Sequence, residues 1–283
     1  LQAQVAQSKA SLMDLSEEVV RQFMTTASSY QQIEVMNNSI ATLNNLKEIM
    51  ARRVEQGVSP SSDLLLVESQ IGQLKSAQIQ LNGSKRDAQL SLLQLTGYKS
   101  NESVKMSCNA ELDESYVVRL ATEQSAALEA AQEDSKSIKA KFGAVDSQKL
   151  PAIVIGANVS RDIDDSDNNA RAFLSFRYNV DVGNRLDAEL AELKADYSAS
   201  IYEEKRVAEL TVRKAAGLVN QYRVSTNQIP ILEDMINVRQ EQLKSHTRRF
   251  SSGKSSWLDV INAQQDLTEA KLSSVDAQAS QCL

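Results

Sequence analysis

Residues 250–260 read FSSGKSSWLDV, and residues 54–64 read VEQGVSPSSDL. Laid over each other with a shift of 196 positions, Gly57 meets Gly253, Ser59 meets Ser255 and Asp63 meets Asp259. Outside the stretch, Arg52-Arg53 fall on Arg248-Arg249 and Lys75 falls on Lys271. Such a repeat means that the chain builds one object twice, and it has to be read before any local feature. In both copies a Gly separates two long polar-apolar patterns. A Gly there ends a helix in the left-handed conformation, so each copy reads as the turn of a helical hairpin.

The patterns on either side agree. Residues 1–56 contain neither Gly nor Pro, which as one helix is about 84 Å at 1.5 Å per residue. Met36, Leu43 and Met50 lie seven apart, with Leu46 between them. That spacing is the seam of a left-handed coiled coil or helical barrel. After Gly57, Ser59 is expected as a cap and Pro60 as the first helical residue. The next helix, about 60–96, carries Val67, Leu74, Leu81, Ala88 and Leu95, with Ile71 and Leu92 widening the stripe. Gly97 closes it. Residues 98–112 read as irregular and 113–146 as one helix or a pair. From about 184 a helix runs to Ser252, with a kink and interruption expected at Pro230. Ile236, Leu243 and Phe250 carry its seam, and Ala263, Ala270 and Ala277 carry the seam of the last helix.

Between these helices the period changes from helical to two. In 151–162, PAIVIGANVSRD, the residues Ile153, Ile155, Ala157 and Val159 alternate with Val154, Gly156, Asn158 and Ser160. In 170–183, ARAFLSFRYNVDVG, the residues Ala172, Leu174, Phe176, Tyr178, Val180 and Val182 alternate with Arg171, Phe173, Ser175, Arg177, Asn179 and Asp181. Strict alternation over about ten residues marks strands with one apolar face, long enough to span a membrane as part of a barrel. The fold class is therefore mainly α with one β-hairpin: an internal duplication of long antiparallel helices. A lone strand pair has to close with copies of itself, so several chains are expected around one axis.

Composition narrows the function. Ala, Leu, Gln, Ser, Glu and Lys dominate, and only 3 Pro and 9 Gly interrupt 283 residues, the balance of long helices. A net charge of −6 excludes a nucleic-acid surface. No run of eighteen apolar residues is present, so no transmembrane helix is expected, and no charged-then-apolar leader opens the sequence. No nucleophile–base set, phosphate loop or zinc pattern occurs, so no catalytic, cofactor or metal site is expected. His246 is the only histidine and has no partner type for a metal. The acidic loop with Asp162, Asp164, Asp165 and Asp167 has Asp167 and Phe173 where a calcium loop wants Gly and Glu, and reads as a polar hairpin loop. Cys108 and Cys282 fit no metal spacing. A disulfide needs their Cα atoms within about 7 Å, which the sequence leaves open. From these residues alone two readings stand: a channel stave, or a soluble or periplasmic coiled-coil scaffold or adaptor.

Three stretches decide between them: ARRVEQGVSPSSDLLLVESQIGQLKSAQ with LSLLQLTG, TRRFSSGKSSWLDVINAQQDLTEAKLSSVDAQ, and the strand-to-helix join YNVDVGNRLDAELAEL. Together they resemble the outer-membrane efflux protein family, the TolC-like channels of type I secretion and efflux systems. The resemblance implies a homotrimer whose β-barrel sits in outer-membrane lipid and continues as a helical barrel across the periplasm. It implies a passive exit duct that docks to a periplasmic adaptor and an inner-membrane transporter. The cargo is secreted protein or small molecules, with a slight lean to secretion. It divides the chain into a first helical hairpin (1–97) whose strands are missing, an equatorial connection (98–149), the β-hairpin (150–183) and a second helical hairpin (184–283) stopping short of its family end. Three such copies supply six strands, where the family barrel uses roughly twelve.

The resemblance also distributes roles. The turns Gly57-Val58-Ser59 and Gly253-Lys254-Ser255 become the adaptor-docking tips. Asp63 and Asp259 become acidic rings at the periplasmic entrance, where three copies concentrate cations. Asn262 stands where a second acidic residue is expected, Phe250 where an aromatic hydroxyl locks the entrance, and Ser255 where a basic residue does. Leu174, Phe176, Tyr178 and Val180 become the lipid-facing strand, with Arg171, Ser175, Arg177 and Asn179 toward water.

Overall fold

A computed structural model describes residues 2–98, 106, 108, 110, 112–161, 168–178, 180 and 183–283. The acidic loop residues 162–167 and the alternating residues Asn179, Asp181 and Val182 lie outside the described residues. Among the described residues six helices and two strands follow in order: α1 (Gln2–Glu55), α2 (Ser61–Thr96), α3 (Glu114–Glu123), α4 (Ala126–Ser147), β1 (Ala152–Arg161), β2 (Asn168–Arg177), α5 (Arg185–Ser251) and α6 (Trp257–Cys282). The pattern over 113–146 resolves into a pair because Ser125 caps α4, its hydroxyl accepting from the Leu128 N–H at 3.1 Å. None of the described helices is long and apolar enough to cross a membrane.

Two expectations shift. α5 runs through Pro230 without ending; the helix is one ladder bond short there and continues on both sides. α2 starts one residue later than its sequence suggests. Pro60 is its N-cap, with φ −72 and ψ 151 and no side-chain cap bond. Ser59 lies one position too early to cap, and its hydroxyl instead accepts from Arg53 Nε at 3.1 Å.

The chain divides into two compact units. One gathers the start of α1, through Ser11, with Arg119–Arg213. Here Ala6 and Ala10 pack on Ala126 and Ala130, small residues that let two helices approach closely. Val145 near the end of α4 packs on Leu186 and Leu190 at the start of α5, with Phe142 and Leu193 alongside. The chain enters α5 through Asn184 at φ 52, a left-handed position that Asn tolerates.

Between α4 and α5 stands the antiparallel hairpin. Ile153 pairs with Phe176, Ile155 with Leu174, Ala157 with Ala172 and Val159 with Ala170, so the apolar residues of both strands share one face. None of the described residues covers it: Ile155 is 82% exposed and Phe176 70%. On the other face Gly156 lies opposite Phe173, and a Cβ at Gly156 would collide with the Phe173 ring. The ladder ends where Ala152 meets Arg177. One step further the partner is Pro151, which has no N–H to give. Tyr178 and Val180 are therefore not strand residues, as their alternation suggests; they follow β2, both exposed.

The second unit comprises Leu12–Val118 and Lys214–Leu283. Its seams follow the seven-residue spacing. Met36, Leu43, Leu46 and Met50 are buried on α1, and Val67, Ile71, Ala88 and Leu92 on α2. Leu95 is exposed. Ala263, Ala270 and Ala277 are buried on α6. Deep between α1 and α6, the Ser39 and Thr268 hydroxyls lie 2.9 Å apart and Gln264 donates to Thr268 at 3.2 Å. Cys108 and Cys282 form a disulfide, with Cα atoms 5.2 Å apart. Beside it the Ala110 backbone both gives to and accepts from the Tyr222 hydroxyl, at 2.7 and 2.6 Å.

Candidate functional site: the paired hairpin turns

Both turns lie in the second unit. Gly57 has φ 71 and Gly253 φ 75, the left-handed region where a side chain is costly. At the first, Gly57 N–H bonds Val54 O at 2.9 Å and Val58 N–H bonds Arg53 O at 2.9 Å. At the second, Gly253 N–H bonds Phe250 O at 3.0 Å and Lys254 N–H bonds Arg249 O at 2.8 Å. These are the two bonds of a Schellman ending, made by residues that correspond pairwise in the repeat. The duplication seen in the sequence is thus a duplication of backbone.

The side chains differ between the copies. At the second turn Ser256 and Asp259 form a complete capping box. The Ser256 hydroxyl accepts from the Asp259 N–H at 3.2 Å, and the Asp259 carboxylate accepts from the Ser256 N–H at 3.0 Å. The same carboxylate oxygen accepts from the Ser255 hydroxyl at 2.8 Å, and His246 Nδ1 lies 3.3 Å from that hydroxyl. The Ser255 hydroxyl first, then the hydroxyl and N–H of Ser256, hold the Asp259 carboxyl below its usual range. Because the hydroxyl hydrogen of Ser255 points at Asp259, a donor at His246 Nδ1 suits the remaining lone pair. At the first turn Pro60 offers neither hydroxyl nor N–H, so Asp63 has no box to complete.

Between the turns lies an apolar cluster. Leu43, Leu46, Met50, Val67, Ile71, Phe250, Trp257, Val260 and Ile261 are buried together. The Phe250 and Trp257 ring centroids are 5.0 Å apart, tilted by 49°. The Arg53 guanidinium lies 4.7 Å from the Phe250 centroid. The Trp257 indole N–H donates to the Asp63 backbone oxygen at 3.0 Å.

The structure thus brings Ser255 to Asp259, and the backbone of Asp63 to Trp257. It leaves Gly57, Val58, Gly253 and Lys254 exposed at the turns and Asn262 exposed one helical turn on. Phe250 is buried within the chain, 8% exposed. The contacts of Arg53 with Phe250, of Trp257 with Asp63 and of His246 with Ser255 are features of the turns that reading the sequence does not reveal. The one usable signal is that Trp257 is the sole Trp in the chain and stands inside the repeated motif. A shallow groove beside the turns, between α1 and α5, is lined by Asn45, Leu46, Leu243, Lys244 and Arg248. Among the described residues no group of three or more His, Cys, Asp or Glu is placed to hold a metal.

Long helices that reverse at matched glycines and run into an amphipathic strand pair define a class: a subunit of a helical-barrel channel of the outer membrane, with its helices in the periplasm. The sequence matches the family model described as outer membrane efflux protein over residues 117–282, and the chain belongs to that family. Its fold is similar to that of a membrane protein from Pseudomonas aeruginosa, with a TM-score of 0.86 at 15% identity, over 99% of this chain and 67% of that one. The outer membrane protein VceC of Vibrio cholerae gives 0.86 at 17%, over 99% and 70%. The CmeC outer membrane channel of Campylobacter jejuni gives 0.84 at 11%, over 99% and 62%. The chain therefore spans about two thirds of the length of these structures. No curated protein sequence matches it.

Proposed function

We propose that the protein is the exit duct of a tripartite export system. It is a passive conduit of three identical chains, fed by an inner-membrane transporter and joined to it by a periplasmic adaptor. The observation that carries this is the β-hairpin: ten paired residues per strand, one face apolar from the Ile153–Phe176 pair to the Val159–Ala170 pair, and none of the described residues to cover it. A face of that kind is stable in lipid, as part of a closed barrel. Leu174 and Phe176 are its lipid-facing residues on β2, and Tyr178 and Val180 carry the apolar surface past the end of the ladder. A soluble scaffold has no use for such a face.

In this reading the turn residues Gly57, Val58, Ser59, Gly253, Lys254 and Ser255 receive the adaptor, with the groove between α1 and α5 beside them. Asp63 and Asp259, repeated threefold, set the charge of the entrance. Asn262 leaves the next level uncharged. Phe250 acts behind this surface, as packing, and Ser255 acts by holding Asp259. Cargo divides on one experiment. Loss of the gene sensitises cells to small toxic compounds if the duct serves efflux, and abolishes a secreted polypeptide if it serves type I secretion.

The test of the conduit is planar-bilayer recording with the intact protein. Single-channel current blocked from the helical side by multivalent cations is expected, and Asp259→Lys should relieve the block. Absence of any current sinks the duct; current with unchanged block removes Asp259 from the entrance.

A further inference from the structure

The apolar face of the β-hairpin decides where its other face looks. On that other face β1 carries no charge from Ala152 to Asn158, while the stretch of β2 paired with it carries two, Arg171 and Arg177. Arg177 stands opposite Ala152 and Arg171 opposite Asn158, so no carboxylate is set against either one across the ladder. Both arginines are exposed. Between them Phe173 stands opposite Gly156, and its ring fills the space that a Cβ at Gly156 would take. The aromatic side chain of this face is thus laid down on β1.

A guanidinium is costly on the lipid side of a barrel strand, where nothing replaces its hydration. Side chains alternate between the two faces of a strand. With Ile155, Leu174 and Phe176 turned to lipid, Arg171 and Arg177 look into the barrel. Arginine also stays charged at every pH the protein meets. Six positions separate the two, about 20 Å along a strand, and about 15 Å along the axis of a barrel whose strands tilt by about 40°. That exceeds the screening length of about 8 Å at physiological salt, so the two levels act independently. Three chains repeat each level around the water and make two cationic collars in series.

We propose that these collars make the barrel an anion-selecting part of the duct, favouring cargo that carries carboxylate, sulfate or phosphate groups. The proposal rests on the reading of the protein as a duct of three chains. Cations ringing a water-filled passage raise the local concentration of anions, and the guanidinium fork matches the paired oxygens of these groups. The sign is opposite to that of the acidic rings assigned to Asp63 and Asp259, so substitution separates the two effects.

The test is the reversal potential of the intact protein in planar bilayers under a potassium chloride gradient. Arg171→Gln combined with Arg177→Gln is expected to lower the ratio of chloride to potassium permeability about threefold to tenfold. Arg171→Lys combined with Arg177→Lys keeps the charge and is expected to hold the ratio. Tripolyphosphate is expected to block the wild-type current and to lose that block in the double Gln form. A ratio left unmoved by the double Gln form overturns the collars while the duct stands. An equal fall in the double Lys form also overturns them, because the shape of the barrel rather than its charge then sets the ratio. Absence of current in the wild type removes the duct, and the collars with it. Should the double Gln form fail to insert, either single substitution makes the same distinction at smaller amplitude.

Discussion

At Gly57 the chain reverses with φ 71 and at Gly253 with φ 75, and corresponding residues close both reversals with the same pair of backbone bonds. The helices that leave the two reversals begin differently. α6 opens with a capping box, a third hydrogen bond from Ser255 and a buried Trp. α2 opens at Pro60 with no side-chain cap and receives a hydrogen bond from the other copy instead. Duplication here preserves the features that the backbone demands and releases those that side chains can share. Glycine is kept at both turns because a left-handed residue is needed at both. The caps and aromatics are free to gather in one copy, because the copies lie against each other and one set serves both.

The largest expected effect comes from a pair of positions that the repeat makes equivalent and packing makes opposite. Ile261 is 1% exposed and Leu65, its counterpart, 63%. Ile261→Ala should cost about 2–5 kcal/mol, read as a lowered denaturation midpoint. Leu65→Ala should leave the chain's own fold intact and act only on dissociation of the assembled oligomer. Equal losses of chain stability at both positions would break the comparison. Next come the glycines. Gly57→Ala and Gly253→Ala should each cost about 1–2 kcal/mol, and by the same amount, since neither site has an atom within 4 Å to add a steric difference. A clear inequality would mean that the reversals are not equivalent.

Smaller effects separate the caps. Ser256→Ala should cost about 1 kcal/mol, whereas Pro60→Ser should stabilise by restoring a box with Asp63 already at its third position. A loss on Pro60→Ser would show that the rigid φ of proline matters more there than a cap. The smallest effect is in pH. Asp259 has its folded pKa depressed by hydrogen bonds to its ionised form. Its contribution is complete above the ordinary aspartate value, about 4, and is lost as pH falls through the lowered one. Stability curves of wild type and Asp259→Asn should therefore be separated at neutral pH and converge in acid.

The architecture is legible in the sequence where local rules govern. Glycine at a left-handed position, a seven-residue seam and a period of two each report on a few neighbouring residues, and Met50, Val67 and Ile155 lie where those rules put them. The illegible features share a different cause. Trp257 looks like one more apolar residue because its partner, the Asp63 carbonyl, is 194 positions away. The Cys108–Cys282 bond stays open for the same reason. The alternation over Tyr178 and Val180 is real, yet the ladder ends because of Pro151 on the opposite strand, which no inspection of the second strand reveals. Phe250 shows the limit of carrying a role by alignment. The position is matched, but its ring turns inward to Trp257, and that direction is decided by the neighbouring hairpin.

The bond between Cys108 and Cys282 spans 174 positions, and makes a covalent ring that holds both strands and all of α5. In the chain-entropy picture such a ring narrows the unfolded ensemble by about 5 kcal/mol, with no help from any native contact. That term exists only where thiols are oxidised. The electron acceptors of the periplasm are therefore a component of this protein's stability, and a population kept reduced should have the same helices on a looser leash, with the end of α6 no longer tethered to Cys108.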